Sequence, residues 1–118
     1  MQTISGSIMQ PMEQHQPTCL KSKGKRIVNL LGKSHVLEIL YLLFNSEDPV
    51  RFNELKRELS ITATTLSRRL DDFIEEDFVT REVFAEVPAR VEYSLSEKGQ
   101  SFGPVLTNLF TWVESNSV

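Results

Sequence analysis

The apolar residues of this chain change their spacing along the sequence, and that change constrains the fold more than any other feature. Residues 52–59 and 62–76 place apolar side chains three or four positions apart, which predicts two short amphipathic helices. Residues 79–95 instead alternate apolar and polar side chains, which predicts two strands. The two helices are about three residues apart, the spacing of a helix-turn-helix, and a hairpin directly after such a pair forms a wing.

The segments before this unit predict two further helices. Residues 20–31 predict a first helix closed by Gly32 in a left-handed conformation, which a residue without a Cβ adopts easily. Residues 36–44 are apolar at nearly every position, so the second helix should be buried on several sides, with Ser34 as its N-cap. A short extended piece at 50–52 then leads into the helix-turn-helix.

The hairpin and the last helix complete the fold. Val79, Val83 and Ala85 are expected to form the apolar inner face of the first wing strand. Ser96 is a good N-cap for a last helix that should kink near Gly103. The order α-α-β-α-α-β-β-α predicts an α+β, mainly α, winged helix-turn-helix fold.

The length of the chain, 118 residues, is enough for one domain with its own core but not for two. We expect a single winged-helix domain at 19–118 after a flexible tail at 1–18, which is rich in Gln and Met and shows no periodicity. The tail lacks the charged start and apolar run of a secretory signal, and no apolar run is long enough for a membrane span. These observations predict a cytoplasmic protein with no membrane partner.

Cysteine, histidine and charge counts argue against several kinds of site. Cys19 is the only cysteine and the chain has two histidines, so neither an internal disulfide nor a zinc site of ordinary ligand number is expected. No set of residues predicts catalysis, a metal or a cofactor. The net charge of −3 argues mildly against nucleic-acid binding, although residues 21–35 carry five basic residues and no acidic one. Local placement of the charges therefore decides the question.

The second helix of the pair separates its apolar and polar side chains onto two faces. On a wheel of about 100° per residue, Thr64, Thr65 and Arg68 lie opposite an apolar stripe. The stripe consists of Ala63, Leu66, Leu70, Phe73 and Ile74. The acidic residues lie at 71–77, towards the other end of the helix. Because a recognition helix enters the major groove with its N-terminal residues on the bases, this arrangement is compatible with DNA binding.

The candidate DNA contacts each have an alternative role. The candidates are Thr62, Thr64, Thr65, Ser67, Arg68, Arg69, Lys56, Arg57, Arg81 and Arg90. Thr62 is also the expected N-cap of its helix. Arg68 and Arg69 could instead pair with acidic residues one turn away, as surface salt bridges. The two wing arginines could each neutralise a cross-strand glutamate, Glu82 or Glu92, and the two basic residues of the preceding helix could be solvated.

Three runs of sequence resemble one family of regulators. RFNELKREL, SITATTLSRRLDDFIEEDFVTR and VFAEVPARVEYSLSEKGQS, within residues 51–101, resemble the HxlR-type winged-helix transcriptional regulators. The resemblance extends over about residues 19–115. It implies a homodimer that is formed through the first and last helices and binds a two-fold operator. It also implies that Cys19 occupies a position at which some relatives sense oxidants or electrophiles, although Leu20 and Ser34 stand where the family usually has Pro and Trp.

The last helix supports a dimer independently of the resemblance. Its apolar residues cover an arc of about 160°, wider than the roughly 100° that one core face requires, and the surplus residues are Phe110 and Trp112. An exposed aromatic patch is typical of an interface. With the first helix included, the predicted dimer residues are Ile27, Leu30, Leu109, Phe110, Trp112 and Val113.

Together these features predict a sequence-specific DNA-binding transcriptional regulator that acts as a homodimer on a two-fold operator. The recognition helix, at about 62–76, should lie in the major groove, and the wing, at 81–90, on the backbone or in the minor groove. The alternative is a protein-binding winged-helix adaptor that uses the acidic surface around Asp71 to Asp77. The expected partners are double-stranded DNA and a second copy of the chain, and the sequence identifies no small-molecule effector and no enzymatic activity.

Overall fold

The architecture is known from a computed structural model, which describes residues 23–117. This part of the chain forms α1 Lys23–Leu31, α2 Val36–Asn45, β1 Val50–Arg51, α3 Phe52–Leu59, α4 Ala63–Glu75, β2 Val79–Phe84, β3 Arg90–Leu95, α5 Glu97–Ser101 and α6 Gly103–Asn116. The order of elements confirms the predicted winged helix-turn-helix. The predicted tail, Cys19 and the first three residues of the predicted first helix lie outside the described residues.

The central element is α2. Val36, Ile39, Leu40 and Leu43 are buried, and the helix contacts α1, α3, α6 and β3. Its apolar sequence therefore reflects burial on several sides, as predicted. Within residues 23–117, no single helix is long and apolar enough to cross a membrane; α1 and α2 meet that criterion only as a pair bent by 89°.

The three strands form an antiparallel sheet in the order β1-β3-β2. β2 and β3 pair from Val79 opposite Leu95, at the base of the wing, to Phe84 opposite Arg90, at its outer end. The short β1 pairs with the other edge of β3. Since β1 leads directly into α3, this pairing fixes the start of the helix-turn-helix against the wing.

Val91, opposite Val83 on β3, packs partly against the core, but only the base of the wing is fully buried. Val79, Tyr93 and Leu95 are buried there. Val83 and Ala85 are exposed, so the prediction that they belong to an apolar inner face is wrong. Alternation along a strand produces burial only where another element covers one face, and Val83 and Ala85 lie towards the outer end of the edge strand β2 or just beyond it.

The predicted closing residue of the first helix and the predicted cap of the second are wrong, although α1 ends at Leu31 and α2 begins at Val36 as predicted. Gly32 is not left-handed: its N–H donates to the Val28 carbonyl at 3.1 Å and continues the helical turn of α1. The chain turns later, at His35, which has a φ of 66° and precedes α2 in place of the predicted Ser34 cap.

The predicted last helix is two helices, α5 and α6, with a break at Phe102. Ser96 caps α5 as predicted, because its hydroxyl oxygen accepts a hydrogen bond from the Gly99 N–H. Gly103 lies directly against the ring of Phe44, where a Cβ would find no space. Pro104 follows in the first turn of α6, a position that suits a residue without an N–H. The expected kink near Gly103 is therefore a one-residue break, at Phe102.

Candidate nucleic-acid interface

A three-residue turn joins α3 to α4 and sets where α4 begins. Ser60 takes a left-handed conformation, with a φ of 53°, and its N–H bonds back to α3. Ile61 is buried and attaches the turn to the core. Thr62 is the N-cap of α4, as predicted, since its Oγ1 accepts a hydrogen bond from the Thr65 N–H at 3.2 Å. The recognition helix of the prediction is thus present, with its predicted start.

The far end of α4 is closed by a pair of backbone hydrogen bonds. Asp77 is left-handed, with a φ of 64°, and its N–H donates to the Ile74 carbonyl at 3.1 Å. The Phe78 N–H donates to the Phe73 carbonyl at 2.8 Å, and both rings are buried. This arrangement, a Schellman motif, satisfies carbonyls that the helix end would leave without partners. With both ends held, the outward face of α4 has a defined orientation.

The predicted apolar stripe of α4 is narrower than the sequence suggested. Leu66, Leu70 and Phe73 are fully buried, as predicted. Ala63 and Ile74 are exposed, Ile74 to 38%, so the prediction for these two is wrong. Both lie at one edge of the stripe, about 60–80° from Leu66 on the helical wheel, and each borders an open groove at the surface.

The outward face of α4 presents polar groups that have no partner within residues 23–117. Thr64, Ser67 and Arg68 are exposed, and they line an open groove along the helix. The hydroxyls of Thr62 and Thr65 are already engaged, because they bond to each other at 3.0 Å as part of the cap. The groups available for a ligand on this face are therefore one guanidinium and two hydroxyls, and the exposed carboxylate of Asp71 lines the same groove.

Two of the five acidic residues at 71–77, Asp72 and Glu76, are paired within the protein. Arg69 is 13% exposed and its guanidinium lies 2.6 Å from the Asp72 carboxylate, so the alternative role predicted for it, a salt bridge on its own helix, is the one observed. Lys33 lies 3.4 Å from the same carboxylate, and Arg26 bonds to Glu76 at 2.6 Å. The pairs of Arg26 and Lys33 connect α1, and the turn after it, to the C-terminal end of α4.

Arg90, at the outer end of the wing, is held in place by other wing residues. The Arg90 guanidinium lies 2.8 Å from Glu86 and 3.0 Å from Glu92, and it stacks over the Phe84 ring at 4.0 Å. Neutralisation of a wing glutamate was the alternative predicted for this residue. Arg81, nearer the base of the wing, is exposed and forms no ion pair within residues 23–117.

Three cations lie on β1 and α3, beside α4. Lys56 is half-buried and Arg57 is exposed, and neither forms an ion pair within the described part of the chain. Arg51, which the sequence analysis did not single out, is 60% exposed and lies 3.9 Å from Glu92. The sequence could have pointed to Arg51 through its position, in the extended piece directly before the first helix of the helix-turn-helix.

A second surface, the exposed apolar patch, lies on α6. Val105, Leu109, Trp112 and Val113 fall on one side of this helix and are all exposed, Trp112 to 64%. Residues three or four positions apart share a helical face, so these four form one continuous surface.

The other predicted dimer residues lie inside the chain's own packing. Leu30 belongs to the core, and Ile27 packs against it. Phe110 stacks on Tyr41 of α2, with 4.4 Å between the ring centroids. The apolar residues of α6 that the chain's own core does not cover are therefore Trp112 and its aliphatic neighbours, rather than Trp112 and Phe110.

Comparison with known proteins places this geometry among regulators. The family model of HxlR-like helix-turn-helix proteins matches residues 30–118. A helix-turn-helix transcriptional regulator of Halalkalibacterium halodurans is 38% identical over 90 residues, which cover 75% of this chain and 79% of that protein. The solved structure of the redox regulator HypR in its oxidised form is 31% identical, with a TM-score of 0.72, and the match covers 82% of this chain and 99% of that one. The reduced transcriptional regulator YodB from Bacillus subtilis is 28% identical, with a TM-score of 0.70 and coverage of 86% and 96%.

Proposed function

This chain belongs to the HxlR-like helix-turn-helix family and is a transcriptional regulator rather than an enzyme, and from that premise we propose that it acts as a homodimer on a two-fold DNA operator. α4 enters the major groove with Thr64, Ser67 and Arg68 towards the base edges. The observation that carries the proposal is the outward face of α4, where these three side chains are exposed and have no partner among residues 23–117.

The chemistry of these groups suits direct readout of bases. A guanidinium donates two parallel hydrogen bonds to O6 and N7 of guanine, and hydroxyls can donate or accept at any base. Arg68 lies in the N-terminal half of α4, the end that approaches the bases. Of the acidic groups in the other half, Asp72 and Glu76 are paired with basic residues of the same chain. Asp71 is exposed and lines the same groove as Arg68, three positions further along the helix.

Contacts to phosphates come from outside α4. Arg57 and Lys56 lie on the helix that crosses the DNA backbone in this type of motif, and their charges are available. We leave Arg69 and Arg90 out of the contact set, because their guanidinium groups are held by carboxylates. Arg81 is exposed, but Asp71 and Asp77 line the same groove, so the surface around it is acidic.

The dimer is proposed to form through the exposed apolar patch. Trp112 and its aliphatic neighbours are the largest exposed apolar group on α6, and Val28 of α1 is also 50% exposed. Aromatic residues are enriched at the centres of interfaces. A two-fold dimer places its two recognition helices about 34 Å apart, one turn of DNA, or a multiple of that distance.

Replacing Arg68 with alanine should relax the preference for one base position and cost about 1–3 kcal/mol per half-site. The measurement begins with selection of bound sequences from random DNA by the purified protein. Binding of the selected duplex, and of duplexes changed at each position, is then compared between wild type and Arg68→Ala.

Arg69→Ala is the matched control for this substitution, since it removes the same charge from the same helix. The Arg69 side chain is largely buried and paired, so its loss should leave the base preference unchanged. A preference that changes with Arg69→Ala, and not with Arg68→Ala, would contradict the assignment of Arg68.

The salt dependence of binding separates the proposed regulator from the protein-binding adaptor. A dimer that makes roughly 6–10 phosphate contacts should lose about 10³–10⁵ in affinity between about 50 and 200 mM salt. Fluorescence anisotropy with the selected duplex measures this. Weak affinity that is the same for every sequence would favour the adaptor, in which the exposed acids Asp71, Glu75 and Asp77 contact a protein.

A redox response through Cys19 stays a prediction of the sequence. The similar regulator HypR has an oxidised form, and Cys19 is the single thiol of this chain. Five basic residues follow it within residues 21–35, and positive charge favours the reactive thiolate. Selection from random DNA, repeated after oxidation, tests whether this thiol alters operator binding.

A further inference from the structure

Asp71 lies on the outward face of α4, among the side chains that we propose to read bases. It is exposed and lines the open groove along the helix together with Thr64, Ser67 and Arg68. On a wheel of about 100° per residue, Asp71 falls about 140° from Leu66. Ser67 falls at about 100° and Arg68 at about 200°, on either side of it. The proposed reading face therefore carries a carboxylate near its middle.

No ion pair within the protein takes up this carboxylate. The adjacent Asp72 pairs with Arg69 at 2.6 Å, whereas Asp71 forms no ion pair within residues 23–117. Asp71 also lies beyond the first turn of α4, so it cannot satisfy the free N–H groups at the helix start. The carboxylate is therefore not needed to hold α4 in place and is available to a ligand.

A carboxylate on this face is unfavourable against most of a duplex. Phosphates are anions, and guanine and thymine present acceptor oxygens in the major groove, where a carboxylate needs a donor. The N4 amino group of cytosine is such a donor. Adenine presents its amino group beside the acceptor N7, a pattern that an amide side chain matches and a carboxylate does not. Cytosine is thus the base that this position favours.

We propose that Asp71 is a further specificity-determining residue, which accepts a hydrogen bond from N4 of a cytosine in the base pair next to the one that Arg68 reads. The proposal rests on the proposed function and adds to it a second base contact of opposite charge. Three residues advance a helix axis by about 4.5 Å and successive base pairs are about 3.4 Å apart, so the two side chains reach neighbouring pairs. On other sequences the same charge finds no donor and repels phosphates, so it also lowers affinity for them.

Asp71→Asn tests the proposal, because asparagine has nearly the shape of aspartate but pairs with adenine. Selection of bound sequences from random DNA should change the preferred base at one position of each half-site from cytosine to adenine. The discrimination in favour of cytosine there, measured with duplexes that differ only at that position, should fall by about 10-fold or more. Affinity for a duplex of unrelated sequence should rise by about 2- to 5-fold, since one repulsive charge per subunit is removed.

Two comparison variants separate readout from the loss of charge. Asp71→Ala removes the acceptor without adding a donor, so the preference for cytosine should be lost and no new preference should appear. Glu75 is exposed on the same helix, forms no ion pair within the described part of the chain and lies outside the groove of Arg68. Glu75→Gln should therefore keep the wild-type base preference. A new preference for adenine requires a folded protein, so it cannot come from loss of structure.

The outcomes distinguish failure of this contact from failure of the proposed function. If Arg68→Ala relaxes the base preference while both Asp71 variants keep it, the proposal for Asp71 alone is wrong. The same holds if the Asp71 variants relax only the position that Arg68→Ala relaxes, because Asp71 would then act by holding Arg68. It holds as well if the position they affect is not cytosine in the wild-type selection. If the wild-type protein selects no duplex from random DNA, both proposals fail.

Discussion

Replacing Phe73 with alanine should lower the free energy of unfolding by about 3–5 kcal/mol, the range measured for large buried aromatic side chains. Phe73 is 0% exposed, and its carbonyl takes part in the hydrogen bonds that close α4. Removing the ring leaves a cavity between α4 and the rest of the core. Because small domains are stable by only about 5–15 kcal/mol, this loss is a large share of the total. Urea denaturation followed by circular dichroism measures it, with all variants at one protein concentration.

Ile74→Ala is the control for this prediction, because it also shortens an apolar side chain on α4 one position further along. Ile74 is 38% exposed, so the substitution should change the unfolding free energy by no more than about 1 kcal/mol. Equal losses for the two variants would mean that Ile74 is buried in solution, as the helical wheel suggested, and that α4 is rotated relative to this structure.

Replacing Trp112 with alanine should raise the dissociation constant of the proposed dimer by about 30-fold or more, which corresponds to roughly 2 kcal/mol or more at an interface hot spot. Trp112 is 64% exposed and adjoins Val105, Leu109 and Val113 on the exposed apolar patch. If a second copy covers this patch, the indole contributes the largest apolar area to the contact. Sedimentation equilibrium over a range of concentrations measures the dissociation constant.

Thr111→Ala provides the comparison on the same helix. Thr111 is exposed and lies about 200° from Leu109 on the helical wheel, on the side away from the patch. Its substitution should leave the dimer unchanged. A dimer as strong in Trp112→Ala as in wild type would show that the subunits meet through another surface. Loss of the dimer should also weaken binding to a two-fold operator without altering the base preference, since α4 is untouched.

The predicted face of α4 follows from interactions within a few residues. Thr62 caps a helix that begins at the next residue, and its partner, the Thr65 N–H, is three positions away. The outward position of Arg68 follows from helical periodicity relative to buried Leu66 and Leu70. Because each of these relations is local, the sequence was sufficient to predict them.

The roles of the other arginines depended on contacts that spacing cannot reveal. Arg68 and Arg69 are adjacent in sequence, but only Arg69 lies close enough to pair with Asp72, while Lys33 approaches the same carboxylate from the end of α1. Arg51 entered the candidate site because β1 pairs with β3, which places it beside Glu92. Strand pairing between distant segments is decided when the chain assembles.

The sequence by itself determined the order of the elements up to the last helix, the caps at Thr62 and Ser96 and the burial of Leu66, Leu70 and Phe73, because hydrogen bonds and periodicity within a few residues specify them. The tertiary structure alone decided which charges remain available and which apolar groups remain uncovered. The Arg26–Glu76 pair joins residues 50 positions apart, and the Tyr41–Phe110 stack joins α2 to α6. Such contacts exist only after distant segments have packed, since burial and pairing are properties of what lies opposite a side chain in space.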